Sequence, residues 1–258
     1  MTQKPTAPQL SVVLITLNEE ARLANCLESL PSDCEIIVLD SSSTDRTVAI
    51  AREYGARVEA RVFDDFAAQK NAAVALATRP WVLSLDADEV LSPELQSAIA
   101  RITAGQGGNA AAYRLTRRLV FQGRRLRFGK AVDHPIRLFS RGSGQFVSAI
   151  HERLEISGPI ANLPGELLHY SYADLTDYFS RFNRYTSRVA ENHFNKGHPM
   201  PFCVKHWLRP WTEFLYRYVF RLGFLDGYPG YTYALVSSLY TYVKYAKLRE
   251  LQLRKSAS

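Results

Sequence analysis

Cysteine is scarce in this sequence, and long hydrophobic runs are absent. The 258 residues include only Cys26, Cys34 and Cys203, whose spacing matches no metal-ligand pattern. Because an odd number of cysteines cannot all pair within one chain, the sequence favours a reduced, cytoplasmic compartment. No stretch reaches the roughly 18 consecutive apolar residues of a membrane-spanning helix, and residues 1–9 lack the apolar core of a signal peptide. The sequence therefore predicts neither secretion nor membrane crossing.

A glycine-rich phosphate loop is also missing, since residues 14–18 after the first apolar run contain no glycine. Its absence argues against a Rossmann dinucleotide site, a P-loop and a sugar-phosphate nucleotidyltransferase. Apolar residues make up 47% of the chain and charged residues 22%, which is typical of a globular protein with one principal core. The net charge of +7 suits an anionic partner such as a nucleic acid, a membrane surface or a phosphorylated substrate.

Short apolar runs alternate with helical patterns in the first hundred residues. The predicted strands cover residues 10–16, 35–40, 57–62 and 81–85. The predicted helices cover residues 19–30, a segment ending near 54, residues 66–77 and residues 93–102. This alternation predicts an α/β fold whose mostly parallel sheet is built from right-handed crossovers, with the ligand site beyond the carboxyl ends of the strands.

The rest of the chain is less regular. Residues 111–116, 137–139 and 151–156 are predicted strands of a mixed region, and helical patterns follow from Tyr172. The composition becomes aromatic and basic beyond residue 199. We therefore expect a catalytic domain over residues 1–198 and a C-terminal appendage over residues 199–258.

Acidic side chains follow the fourth predicted strand at Asp86, Asp88 and Glu89. Residues two apart in an extended chain project to the same side, so Asp86 and Asp88 are able to face one cation. Hard carboxylate oxygens suit Mg²⁺ or Mn²⁺, and a cation there would stabilise a departing diphosphate. An isolated pair of this kind is more often a turn at a strand end. At the second strand end, Asp40 offers an acceptor for a ribose hydroxyl or a base, whereas Thr44 and Asp45 suit a helix cap.

Four ordered segments resemble the family 2 glycosyltransferases of GT-A fold. They are residues 11–20 (SVVLITLNEE), 37–47 (IVLDSSSTDRT), 69–72 (QKNA) and 85–89 (LDADE). The resemblance implies a Rossmann-like sheet, a nucleotide-sugar donor, a divalent metal and inversion at the anomeric carbon. The segment matching Thr16 to Asn18 and the aspartate matching Asp40 would hold uridine. Many relatives have a second acidic residue where this chain has Ser41, which leaves the ribose contacts open.

Four later segments resemble the bacterial subgroup that includes lipopolysaccharide inner-core β-1,4-glucosyltransferases. They are residues 134–139 (HPIRLF), 150–152 (IHE), 168–170 (LHY) and 223–227 (GFLDG). The match implies transfer of glucose from UDP-glucose to a heptose on a membrane lipid. A polyprenyl phosphate, capsular or peptide acceptor is the alternative within the family, and a nucleic-acid-binding module is the alternative outside it.

The predicted site residues follow from these matches. The predicted donor-binding residues are Thr16, Leu17, Asn18, Glu20, Asp40, Lys70, Asp86, Ala87 and Arg137, the last through a bidentate phosphate contact. The predicted metal ligands are Asp88 and His169. Glu152 is the predicted catalytic base, which would take the proton of the acceptor hydroxyl, with Asp133 and Glu89 as alternatives. Glu152 could instead be a surface residue paired with Arg153 or Arg137.

Two further features of the sequence suggest how the protein would bind an acceptor. Residues 114–141 are dense in arginine, which suits either a solvated loop or a phosphate-bearing and carboxylate-bearing acceptor. Residues 203–254 interleave tryptophan and tyrosine with lysine and arginine. On one helix, Leu208, Trp211, Leu215, Tyr218 and Leu222 would share a face, which suits an anionic membrane surface or packing on the catalytic domain. We expect a peripheral protein on the inner face of the bacterial inner membrane.

Overall fold

The computed structural model of the protein describes residues 9–147, 152–197 and 203–257. The chain forms two compact units. The first comprises Met1–Arg117 and Asp133–Tyr170, and the second comprises Arg118–Val132 and Ser171–Ser258. The second unit thus takes in a segment from the middle of the sequence. The domain boundary expected between residues 198 and 199 lies outside the described residues.

Four parallel strands form one half of the main sheet. They are β1 (Leu10–Thr16), β2 (Glu35–Asp40), β3 (Arg57–Ala60) and β4 (Trp81–Asp86). β1 lies between β2 and β4, with Thr16 opposite Asp40 and Ile15 opposite Asp86. This register brings three of the predicted site residues to one edge of the sheet.

Helices cover both faces of these strands. They are α1 (Leu23–Glu28), α2 (Thr47–Glu53), α3 (Phe66–Ala75) and α4 (Pro93–Arg101). Successive residues of β1 point to opposite faces, so Val12 packs in the cluster that contains Leu23 of α1, and Val13 in the cluster that contains Ala73 of α3. Burial on both faces explains why β1 is apolar almost throughout.

Antiparallel strands complete the sheet. They are β5 (Glu89–Leu91), β6 (Ala112–Phe121), β7 (Arg124–Arg125), β8 (Val132–Asp133), β9 (Ile136–Ser140) and β12 (Ile160–His169). The strand order is β3-β2-β1-β4-β9-β6-β12-β5, and β7 and β8 each pair with β6. β10 (Gly144–Val147) and β11 (Arg153–Ile156) form a separate two-stranded ribbon. A π-helical turn, Ile102–Gln106, follows α4.

Helices dominate the second unit. They are α5 (Leu175–Asn195), α6 (Cys203–Leu215), a π-helical turn (Tyr216–Phe220), a 3-10 turn (Gly223–Asp226) and α7 (Gly227–Ala257). Aromatic rings build much of its core, with Phe121 5.9 Å from Tyr178 and 5.7 Å from Tyr233, measured between ring centroids. Within the described chain, no helix is long and apolar enough to cross a membrane.

The α/β fold class with a helical, aromatic C-terminal region is confirmed, with parallel strands in the first half of the sheet and antiparallel strands in the second. Several element limits differ from the prediction. The predicted helix over 19–30 begins only at Leu23; residues 20–22 form a turn in which Arg22 N donates to Glu19 O, and the backbone N–H groups of Glu19 and Glu20 donate to Thr47 and Asp45. The predicted helical face cannot include Leu222, which has a φ of 57° beyond the π-helical turn.

Candidate active site

Asp40 ties the ends of β1 and β2 together. One carboxylate oxygen accepts hydrogen bonds from Thr16 Oγ1 at 2.9 Å and Ser43 Oγ at 2.6 Å, and the other accepts from Ser43 N at 2.7 Å. The side chain is buried at 3% exposure. The first role of Asp40 in this structure is therefore to shape the loop after β2, and a contact with uridine stays a prediction.

Asn18 holds the loop after β1 against the loop after β2. Its φ of 55° lies in the left-handed region, which asparagine tolerates better than most residues. Asn18 Oδ1 accepts from Thr44 N at 2.8 Å, and Asn18 N donates to Ser43 Oγ at 2.8 Å. Glu20 Oε2 accepts from Arg46 N at 2.9 Å. Leu17 remains 52% exposed in the same loop.

A buried lysine joins two of the predicted site carboxylates. Lys70, at 3% exposure, places Nζ 3.0 Å from Asp86 Oδ1 and 3.1 Å from Glu152 Oε1. The alternative in which Glu152 pairs with Arg153 or Arg137 does not match the structure, because Arg153 pairs with Glu155 and Arg137 pairs with Asp86 and Glu89. Glu152 also precedes β11 instead of opening it, and His151 lies outside the described residues.

Arg137 lies behind the acidic cluster. Its Nη2 donates to Asp86 Oδ2 and to Glu89 Oε1, each at 2.5 Å, and the residue is 5% exposed. Its Nε is buried without a hydrogen-bond partner among the described residues. In this arrangement Arg137 neutralises carboxylates, and the phosphate contact expected of it stays a prediction.

Arg117 is a site residue that the sequence did not single out. Its Nε and Nη2 donate to Asp133 at 2.9 and 2.6 Å, and its Nη1 donates to Glu89 Oε1 at 2.9 Å. In the sequence it is one of many arginines in a basic run. Its place on β6, the strand beside Arg137's strand β9, is visible only in the sheet order.

These ion pairs set the charge of the cluster. Burial would raise the pKa of Asp86, but the charges of Arg137 and Lys70, with their hydrogen bonds, outweigh it and hold that pKa well below its usual value. Burial likewise opposes ionisation of Asp133, yet its hydrogen bonds with Arg117 lower the net pKa. Both carboxylates are therefore ionised at neutral pH and poorly suited to accept a proton.

Asp88 and His169 meet across an antiparallel ladder. β5 pairs with β12 so that Glu89 lies opposite His169, and Asp88 O accepts from Tyr170 N at 2.8 Å. This pairing places His169 Nε2 3.4 Å from Asp88 Oδ2. Ala87, buried at 4% exposure, separates Asp88 from Asp86. The two predicted metal ligands are thus adjacent although they lie far apart in the sequence.

The side chains at this place fit a divalent cation whose remaining coordination positions would be filled by substrate oxygens. Among the described residues, no group of three or more histidine, cysteine, aspartate or glutamate side chains is arranged to hold a metal ion. Both oxygens of Asp86 are already in ion pairs. Asp88 and His169, whose side chains lie 3.4 Å apart, would supply the protein ligands, and Mg²⁺ is commonly held by one or two protein ligands together with substrate phosphates.

The segment 69–72 supports the site from beneath. Gln69 donates through Nε2 to Ser41 Oγ at 3.0 Å. Asn71 forms two hydrogen bonds with the backbone of Phe146 on β10: its Nδ2 donates to the carbonyl at 2.8 Å and its Oδ1 accepts from the N–H at 2.9 Å. Helix α3 therefore positions Lys70 while neighbouring side chains attach it to the loop after β2 and to the β10–β11 ribbon.

Sequence comparisons identify relatives along the whole chain. The sequence model of Glycosyl transferase family 2 matches residues 11–147. An uncharacterized glycosyltransferase of Rickettsia typhi is 30% identical over 260 residues, covering 95% of this chain and 88% of that protein. The lipopolysaccharide core biosynthesis glycosyltransferase LpsC of Rhizobium meliloti is 29% identical over 261 residues, covering 96% of this chain and 94% of LpsC.

The chain is also similar to proteins of solved structure. TarS residues 1–349 of S. aureus are 14% identical to this chain, with a TM-score of 0.49 and coverage of 96% of this chain and 92% of TarS. Glucosyl-3-phosphoglycerate synthase of Mycobacterium tuberculosis, in complex with Mn²⁺, UDP-glucose and phosphoglyceric acid, is 27% identical with a TM-score of 0.36, covering 43% of this chain and 44% of that one. From the sequence matches, the chain belongs to glycosyl transferase family 2 and is a glycosyltransferase.

Proposed function

We propose that the protein is a metal-dependent, inverting transferase that moves glucose from UDP-glucose onto a heptose of the lipopolysaccharide inner core. This proposal rests on one observation, the proximity of four predicted site residues. Lys70 lies between Asp86 and Glu152, and the pairing of β5 with β12 brings His169 next to Asp88. The cluster lies at the carboxyl end of β4, where ligands bind in sheets of this kind. The name of LpsC supports an acceptor of the lipopolysaccharide core.

The donor would bind between the loop after β1 and the acidic cluster. Thr16, Leu17 and Asn18 would hold uridine on the loop that Asp40 orders, and Asp86 to Asp88 would face the ribose and diphosphate. Asp88 and His169 would hold a divalent cation, which when bound supplies electrostatic stabilisation of the leaving diphosphate. Lys70, between Asp86 and Glu152, adds a fixed positive charge at the same place.

Glu152 is the best-suited base among the three candidates. Glu89 is fully buried and its carboxylate accepts from Arg137, Arg117 and the N–H of Asp86. Asp133 is held by two hydrogen bonds from Arg117 that lower its pKa. Glu152 has a side chain that is 28% exposed and paired with Lys70, so an acceptor hydroxyl could reach it.

The proposed reaction is a single displacement. The acceptor oxygen attacks the anomeric carbon as Glu152 takes its proton, and the bond from that carbon to the UDP oxygen breaks. The electron pair of that bond leaves with UDP, so the product has the opposite anomeric configuration. Lys70 orients the Glu152 carboxylate during the transfer.

The second unit would meet the lipid part of the acceptor at the cytoplasmic face of the inner membrane. An apolar cavity of about 380 Å³ lies between α6 and α7, lined by Trp211, Phe214 and Leu239 among others. Trp207 and Trp211 are 67% and 69% exposed. Exposed tryptophan beside cationic residues is typical of peripheral membrane contact.

Acceptor identity is tested with labelled UDP-glucose, supplied with Mg²⁺ or Mn²⁺, and purified lipid acceptors. We expect label on a heptose-containing core lipid and none on polyprenyl phosphate, with the Asp88→Ala variant as the background. Label on polyprenyl phosphate alone would show that the acceptor assignment is wrong and that the transferase assignment is right. No UDP release with any sugar nucleotide would contradict the proposed function itself.

A further inference from the structure

The segment Gly223 to Gly227 (GFLDG) has no role in the proposed reaction, yet it is firmly built into the second unit. Asp226 is 3% exposed. Its carboxylate accepts from Arg127 N at 3.0 and 3.1 Å and from Phe128 N at 2.9 Å. A buried carboxylate thus fixes the backbone that leads into the turn at residues 128–131.

Glycine is required on the other side of this contact. A Cβ on Gly223 would lie 2.7 Å from Arg217 O, and a Cβ on Gly230 would overlap Gly223 O. The turn itself has Gly129 and Lys130 in the left-handed region, with φ of 66° and 67°. Gly129 N donates to Arg221 O at 3.0 Å, which joins the turn to the end of the π-helical segment. The backbone here has little freedom to rearrange.

A cavity of about 260 Å³ lies between this turn and the π-helical segment, and three of its lining residues are cations. They are Arg127, Lys130 and Arg221, all exposed. Lys130 Nζ lies 3.5 Å from Glu213, whose carboxylate is closer to Arg217 Nε at 2.7 Å. Within the described chain, neither Arg127 nor Arg221 has a carboxylate within ion-pair distance. The cavity therefore carries a positive charge that protein carboxylates do not balance.

Two of the lining residues are exposed apolar side chains, Phe220 at 75% and Leu222 at 43% exposure. Phe224 and Leu225, which follow in the sequence, are 45% and 51% exposed. Cations flanked by exposed apolar side chains suit an anionic group at the boundary between water and hydrocarbon. The volume is below that of pockets for drug-sized ligands, about 300 to 1,000 Å³, so it suits one phosphate-bearing unit better than a nucleotide sugar.

We propose that this cavity is a binding site for a phosphate group. Arginine guanidinium groups form charge-assisted hydrogen bonds with phosphate oxygens. Asp226 fixes the backbone at Arg127, from which the exposed Arg127 side chain extends at the cavity. The assignment of this phosphate to the lipid acceptor rests on the proposed function. Binding is measurable without turnover, so the two are separable.

The test compares a double variant, Arg127→Gln with Arg221→Gln, with a control that loses the same charge, Arg188→Gln with Arg249→Gln. Arg188 and Arg249 are exposed on α5 and α7, outside the cavity. Full-length protein is sedimented with phosphatidylcholine vesicles that contain phosphatidic acid or phosphatidylserine at matched surface charge. Inorganic phosphate binding is measured by calorimetry.

Wild type is expected to prefer phosphatidic acid vesicles, and the cavity variant to lose about fivefold in affinity per cation, roughly 25-fold in all. The control should retain the preference. If wild type binds inorganic phosphate, the cavity variant does not, and neither protein prefers one kind of vesicle, the site is supported and its ligand is a soluble phosphate. Equal behaviour of the two variants in every arm would overturn it. Retained phosphate binding in Asp88→Ala, which has no transfer, separates this result from the transferase assignment.

Discussion

Replacing Arg137 by methionine should destabilise the first unit far more than replacing an exposed arginine. Arg137 is 5% exposed and donates to fully buried Glu89 and to Asp86. Removing one member of a buried ion pair costs about 3 to 5 kcal/mol, because it leaves an uncompensated buried charge. We expect the lower end of that range, since Arg117 Nη1 still lies 2.9 Å from Glu89 and Lys70 still pairs with Asp86.

The loss should depend on pH in a defined direction. In the wild-type protein the pKa of Asp86 is held well below its usual value, so its stabilising contribution is present above about pH 4 and is lost as the pH falls through the folded-state pKa. In Arg137→Met, only Lys70 opposes the effect of burial on Asp86. The pKa of Asp86 is therefore higher in the variant than in the wild type. The difference in unfolding free energy between wild type and variant should therefore shrink as the pH falls from about 7 towards 4.

Urea denaturation followed by circular dichroism measures the effect. The matched control is Arg153→Met, because Arg153 is 73% exposed and pairs with exposed Glu155. That variant should change the free energy of unfolding by no more than about 0.5 kcal/mol at any pH. Equal losses for the two variants, or a pH-independent loss for Arg137→Met, would refute the reasoning from burial.

Three further changes test the site and the fold. Glu152→Gln should lower kcat by about 10²- to 10⁴-fold while UDP-sugar affinity, measured by calorimetry, is retained; unchanged kcat would move the base elsewhere. Asp88→Ala should abolish metal-stimulated UDP release while leaving the circular dichroism spectrum intact, and wild-type turnover would contradict its proposed role. Gly165→Ala should lower the free energy of unfolding in urea by more than Gly142→Ala: both sites have φ near 90°, but only at Gly165 would a Cβ overlap Leu95. Equal losses would show that backbone strain alone matters.

The parallel half of the fold is predictable from the sequence because its signals are local. β1 and β2 match their predicted limits, since each contains four consecutive apolar residues, 12–15 in β1 and 36–39 in β2, most of them buried. The second helix was predicted to end near residue 54, and α2 ends at Glu53, followed by Tyr54 and then Gly55 with a φ of 75°. The antiparallel strands were harder to place because β6 runs five residues beyond its predicted end, into a basic segment without alternating polarity.

The sequence predicted residues for the candidate site but not how their side chains pair. Asp88 and His169 were both expected as metal ligands, yet their adjacency depends on the pairing of β5 with β12, which no local pattern encodes. Arg117 was not predicted as a site residue because its contacts depend on the strand order. Asp40 was expected to face ligand, and its hydrogen bonds with Thr16 and Ser43 depend on the register of β1 with β2.

The paired hydrogen bonds of Asn71 have a consequence for solubility. Among the described residues the β10–β11 ribbon has two strands, and an unpaired strand edge is a place where another chain could form a ladder. At Phe146 both the N–H and the carbonyl are occupied by one amide side chain. Asn71 thus takes the place of one residue of a neighbouring strand, and it occupies the two backbone groups of Phe146 that pairing with another chain would use.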